Sequence, residues 1–329
     1  MEIKIFIYFN FLLLVLITSC STQLDSQDSI NKGLNYLAQA KTNDFSYNDE
    51  YLKYVYSGEA LECNLPNCKI TYRKLDAYFN LKFIKNEFQD YSLIKQDVEE
   101  ADKILASLIP IWRNKKLYNI VNETMKDTSG LALDTYCILG YLYNDKEMST
   151  LVLNSLYNDE WLPSNFYQGD QDFRTIADES WCVRLISKSN NKELIRDVKD
   201  RLIKDTYTFI NEDHDKITKV NAAIHTLTML NEFNENDKEI NFFKNYIATS
   251  ISDKQTWQDT TTLANILDVL VQSNYSNKAI INKLTRELIK RQEKDGRWLI
   301  SKGYDKNFGQ VFTTFRVIAA LNKYQQWQK

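Results

Sequence analysis

The chain has 329 residues, with 41 Lys and Arg against 44 Asp and Glu and a net charge of -3, so no basic excess argues for a nucleic-acid partner. Only 8 glycines and 3 prolines interrupt it, a scarcity of breakers that predicts long helices joined by polar turns. Two histidines and five cysteines bound any metal chemistry tightly, and no cofactor motif is present.

In chain order, the first element is the apolar run Ile5 to Ile17, preceded by Lys4 and closed by Ile17-Thr18-Ser19-Cys20. The run is too short to span a bilayer, and a small residue stands before the cysteine. The segment resembles the signal peptide and lipobox of bacterial lipoproteins. That resemblance implies cleavage after residue 19, a diacylglycerol thioether on Cys20, and an extracytoplasmic protein held to the cell membrane or outer membrane by lipid. Residues 20–27 then read as a polar tether, and 28–329 as a single domain, since about 310 residues suffice for one large unit.

Cys63-Asn-Leu-Pro-Asn-Cys68 follows in a turn-like stretch. Its spacing suits a local disulfide on a surface loop, and an extracytoplasmic location lets such a bond persist. A zinc knuckle would need two further ligands nearby.

Beyond residue 27 the hydrophobic period is helical throughout, with two kinds of helix alternating. The apolar kind starts at Thr71, Ser129, Thr175, Thr218, Thr260 and Thr313, recurring about every 40 to 60 residues. Hydroxyl residues at these starts suit N-capping. Between them lie amphipathic helices at about 28–40, 92–108, 147–157, 192–210, 236–250 and 277–292, with ordinary charged outer faces. Six apolar and six amphipathic helices predict an all-α fold, an (α/α)6 toroid with an inner and an outer ring; an open solenoid is the alternative.

Trp112, Trp161 and Trp298 each fall about 15 residues before the next apolar helix, and Trp257 lies just before Thr260. The last slot reads Leu288-x3-Gln292-x3-Gly296-x-Trp298, which resembles the QW motif of squalene-hopene and related triterpene cyclases. Lys32-Gly33-x2-Tyr36-Leu37 supplies the other part of that pattern, with Lys41 and Phe45 where Gln and Trp are expected. The resemblance to the terpene cyclase and protein prenyltransferase toroids implies a scaffold. Its chemistry does not carry over: Trp257-Gln258-Asp259-Thr260-Thr261 has Gln258 where the cyclases place their proton-donating Asp, and an amide is no acid.

The prenyltransferases hold zinc with Asp, Cys and His. Cys137, Cys182 and His225 fall about two turns into three successive apolar helices, a weak metal set. Buried thiols and a hydrogen-bonded core histidine are the structural alternative, and no metal is expected.

A ring of helices would hold a ligand at the N-terminal ends of its inner members. Polar residues there are Lys74, Asp76, Asp134, Arg174, Asp178, Glu179, Asn221, Asn265 and Arg316, with Asp172 and Asp259 in the loops above. Charges within such apolar helices are costly in a dry core, which places them on a polar central funnel. Three readings follow. A non-catalytic ligand-binding or interaction scaffold would use Lys74, Arg174, Asn221, Asn265 and Arg316. A glycosidase or lyase acting on a glycan would use two carboxylates from Asp178, Asp134, Glu179 and Asp76, with Asp178 and Asp134 the leading pair. A terpene cyclase-like or prenyl-binding protein is the third. A network of interhelical ion pairs without a ligand would account for the same residues.

Overall fold

The structure, a computed structural model, describes residues 26–40, 61–62, 69–70, 72–114, 131–157, 173–187, 189–233, 238–301 and 310–329. The protein is mostly helical. The helices are α1 (26–40), α2 (Tyr72–Glu87), α3 (Lys95–Asn114), α4 (Leu131–Leu142), α5 (Lys146–Tyr157), α6 (Phe173–Ile186) and α7 (Lys192–Asn211). Then come α8 (Lys216–Leu230), α9 (Lys238–Ser250), the short α10 (Lys254–Gln258), α11 (Thr260–Gln272), α12 (Lys278–Lys290) and α13 (Gln310–Gln328). None of the described helices is long and apolar enough to cross a membrane.

Sequence periodicity anticipates these elements closely, with three informative differences. Helix α3 runs through Pro110 to Asn114 instead of ending near 108, because Leu105, Leu108 and Trp112 continue one buried stripe across the proline. Asp215 and Asp259, not the threonines after them, cap α8 and α11: each carboxylate accepts from the amide three residues on, at Thr218 and Thr262. A two-residue antiparallel ladder pairs Leu61 with Ile70 and Glu62 with Lys69, where no strand is expected. It brackets the 63–68 stretch; Cys63 and Cys68 themselves lie outside the described residues, as does Cys20.

Two sets of contacts organise the helices. Among the apolar set, α2 packs on α4, α4 on α6, α6 on α8, α8 on α11, α11 on α13, and α13 again on α2. The amphipathic helices bridge successive members: α3 lies on α2 and α4, α5 on α4 and α6, α7 on α6 and α8, α9 on α8 and α11, and α12 on α11 and α13. Composition dictates this division. Helix α11 buries Leu263, Ala264, Ile266, Leu267, Val269, Leu270 and Val271, which leave only one narrow polar stripe, so it must be packed on most of its circumference. Helix α12 buries only the stripe Ile281, Leu284, Thr285 and Leu288 and turns its lysines to water. Each such leucine contributes about 1.5–3 kcal/mol on burial.

The two chain-distant ends of the helical series meet in a well-bonded seam. The fully buried Trp298 donates its indole N–H to the Leu288 carbonyl at 2.7 Å, and its own amide donates to Thr314 Oγ1 at 3.0 Å. Gln292 Nε2 donates to the Gly296 carbonyl at 2.9 Å and to the Ser29 carbonyl of α1 at 2.8 Å. Gln325 of α13 donates to Ser26 Oγ at 3.1 Å. A Cβ on Gly33 would stand 2.6 Å from Ile318 and 2.9 Å from the Trp298 ring. Gly296 has a φ of +95°, and a Cβ there would reach 2.2 Å from the Lys32 carbonyl oxygen. The Lys32-Gly33 and Gln-Gly-Trp segments therefore serve each other across the seam. Deeper in, Asn322 and Gln326 of α13 donate to the Glu87 carbonyl at the end of α2, at 3.3 and 2.9 Å.

Candidate functional site

The apolar helices turn a polar stripe to a common cavity of about 520 Å³. Helical spacing makes each stripe: Asn221, His225 and Thr228 on α8, Thr261, Asn265, Asp268 and Gln272 on α11, and Phe312, Arg316 and Lys323 on α13. Ser180, Trp181 and Arg184 come from α6, and Asn80, Phe83 and Glu87 from α2. The lining mixes these groups with aromatic rings, so it is less uniformly polar than the sequence predicts.

Three layers can be followed along the cavity. At the N-terminal ends of α11 and α13, Thr261 Oγ1 and Thr313 Oγ1 share a hydrogen bond at 2.9 Å, and Asn221 Nδ2 donates to Thr262 Oγ1 at 3.5 Å. One turn further along the same helices come Asn265, Arg316 and His225, with Ser180 Oγ 3.4 Å from His225 Nδ1. At the C-terminal ends Lys323 Nζ lies 3.0 Å from Asp268 Oδ1 and 3.5 Å from Glu87 Oε2. Beside them Arg184 donates to Glu232 Oε1 at 3.1 Å, stacks over Tyr141 and Trp181, and shares that carboxylate with the Tyr141 hydroxyl at 2.5 Å.

Burial sets the protonation of these groups. It pushes the Glu87 carboxyl up, opposed by Lys323, while Lys323 is itself raised because the neighbouring Asp268 and Glu87 outweigh its burial. Burial raises Asp259 as well, against the amide and hydroxyl of Thr262. His225 is driven down to about 4 by burial first and by the charges of Arg316 and Arg184 second, so its ring is neutral at pH 7.

Asn221, Asn265 and Arg316, expected at the funnel, all line the cavity. Glu179 does not. Its buried carboxylate points to the outer helix α7, with Oε1 3.6 Å from Arg201 Nη2, and burial lifts it to about 7. Isolated from the bore in this way, it has no access to a substrate there. The side chains of Lys74, Asp76, Asp134, Arg174 and Asp178 lie outside the described residues, as does Asp172. Cys137 of α4 and Cys182 of α6 are joined in a fully buried disulfide, their Cα atoms 4.9 Å apart, instead of being free thiols. Sulfurs so bonded are not thiolate ligands, and the shared depth of Cys137 and Cys182 marks the register of two packed helices. Among the described residues no group of three His, Cys, Asp or Glu side chains converges to hold a metal.

Glu87, Asp268, Arg184 and Lys323 were missed by the sequence reading, and Trp181 with them. The signal for them exists: each lies three, four or seven residues along a stripe from a polar position near the helix start, such as Asn265 to Asp268 or Arg316 to Lys323. Comparing only the first turns of the helices stops short of it.

No protein-family model matches the sequence, and no match to a curated protein is found.

Proposed function

We propose that the protein is a lipid-anchored, extracytoplasmic (α/α)6 toroid that holds a polar ligand in its central bore without acting on it. The toroid is supported by the cyclic order of contacts, in which α13 returns to α2, and by the seam joining α1 to Trp298. The lipid anchor rests on the Ile17 to Cys20 segment, and the buried disulfide agrees with an oxidising compartment. QW-like residues act as architecture in this reading: Gln258, at the position of the cyclase acid, is an exposed residue ending α10.

One observation carries the binding reading. Each acid described in the bore already has a structural duty, Glu87 and Asp268 on Lys323 and Asp259 as the cap of α11, which leaves amides, a neutral imidazole and an arginine facing the cavity. Among the described residues such a lining suits recognition of a ligand and offers no free acid and base pair of the glycosidase kind. A cavity of about 520 Å³ suits a molecule the size of one or two sugar units.

Mass spectrometry of the full-length protein purified from membranes tests both parts. The expected result is a diacylglyceryl group on the Cys20 peptide, and a polar small molecule or glycan that copurifies with the protein and is lost in Asn221→Ala/Asn265→Ala. An unmodified Cys20 contradicts the anchor. A bore that retains nothing, or a bound glycan that the protein cleaves, contradicts binding without catalysis.

A further inference from the structure

Arg316 stands apart from every other charged group described in the bore. Arg184 has Glu232, and Lys323 has Glu87 and Asp268. Arg316 has no carboxylate within salt-bridge distance among the described residues; its guanidinium lies over the Phe312 ring at 5.0 Å, and its buried Nε has no hydrogen-bond partner. The carboxylates described in the cavity lining are committed elsewhere. Asp259 Oδ1 accepts from the Thr262 amide at 2.6 Å as the cap of α11, and Asp268 and Glu87 converge on Lys323.

Helix register puts further donors at the level of Arg316. Thr261 and Thr313 are hydrogen-bonded, and one turn on from each are Asn265 and Arg316. Asn221 is bonded to Thr262, and one turn on from it is His225. Both residues line the same cavity, and the charge of Arg316 acts on the His225 ring. The half-buried guanidinium keeps donors that no described side chain takes up, and a planar oxyanion offers it bidentate geometry.

We infer that the middle layer of the bore is an oxyanion subsite, in which Arg316 grips a carboxylate or phosphate of the ligand while Asn265, Asn221 and His225 bond the same group. This rests on the ligand-binding reading and specifies its chemistry. The body of the ligand would lie against the aromatic side chains that line the same cavity, Phe312 and Trp181 among them. In the C-terminal layer two cations already face three carboxylates, so it offers an anion no unpaired cation.

The two histidines make a direct test, since His225 reports the bore and His214 the surface, where it stacks on Phe209 and faces Glu212. NMR of the histidine rings in the full-length protein is followed while inorganic phosphate, acetate or glucose is added in the millimolar range at pH 7. At least one of the two anions is expected to shift His225 and leave His214 in place. Phosphate alone assigns a phosphate ligand, and acetate alone a carboxylate. Arg316→Gln should raise the His225 pKa without any anion and abolish the response, whereas Arg316→Lys keeps part of it. Silence of His225 towards both anions overturns the inference, and so does an equal response in Arg316→Gln. A shift with glucose alone also overturns it while leaving a ligand in the bore, a matter the copurification experiment decides separately.

Discussion

The seam and the bore are built from the same helices and obey opposite rules. In the seam the donors of Trp298 and the side-chain amides of Gln292 and Gln325 have acceptors, and two glycines admit contacts closer than any Cβ allows. In the middle of the bore the Arg316 guanidinium has no carboxylate partner among the described residues, its buried Nε makes no hydrogen bond, and the His225 imidazole is held neutral. A region selected only for stability would resemble the seam throughout. The difference is the ground for proposing that the bore keeps polar capacity for a ligand.

Substitutions can break that contrast. Trp298→Ala removes the buried ring on which Gly33 and Leu288 rest and is expected to cost about 3–5 kcal/mol in urea unfolding. Replacing Cys137 and Cys182 together by Ser releases the 45-residue loop between α4 and α6 and should cost about 2–4 kcal/mol, with the loss mimicked by reductant on the native chain. Gly33→Ala drives a Cβ into Ile318 and the Trp298 ring, with about 1–3 kcal/mol expected in the same measurement. Arg316→Gln, by contrast, should change stability by no more than about 0.5 kcal/mol, because it breaks no internal pair. A large loss there would make Arg316 part of the scaffold.

The pH dependence of stability sharpens the same comparison. Glu179, buried between α6 and α7, is raised from its ordinary 4.5 to about 7, so the folded chain keeps a proton that the unfolded chain releases. Its contribution is full below pH 4.5 and is lost as pH rises through 7. His225, in the bore, is depressed from 6.5 to about 4, and its contribution is present above pH 6.5 and lost as pH falls through 4. Glu179→Gln should flatten the upper window alone, and His225→Gln the lower, when unfolding is followed by circular dichroism across pH.

Much of the fold was legible in the sequence because burial writes its period directly. Helices α7 and α12 were readable from Ile195, Val198 and Leu202 or from Ile281, Leu284 and Leu288, and the alternation of apolar and amphipathic helices gave the order of packing. The motif around Trp298 showed a locked helix end but not its partner, since the contact with Gly33 spans nearly the whole chain. The bore was half legible. Asn221, Asn265 and Arg316 were identified by their depth in apolar helices, yet Glu179 at the same depth faces Arg201, because a helix with polar residues at 178, 179 and 180 does not say which one looks inward. Pairing of Cys137 with Cys182 needed the relative height of α4 and α6, which sequence spacing leaves free.

Closure of the ring is the claim on which the bore depends. Ser26→Cys combined with Gln325→Cys tests it, since these side chains meet at 3.1 Å from opposite ends of the described chain. Oxidation of the dilute, monomeric double variant is predicted to give rapid intramolecular cross-linking, with helix content unchanged and neither single variant reacting. Cross-links formed only between molecules, or none at all, would contradict the closed ring and the bore with it.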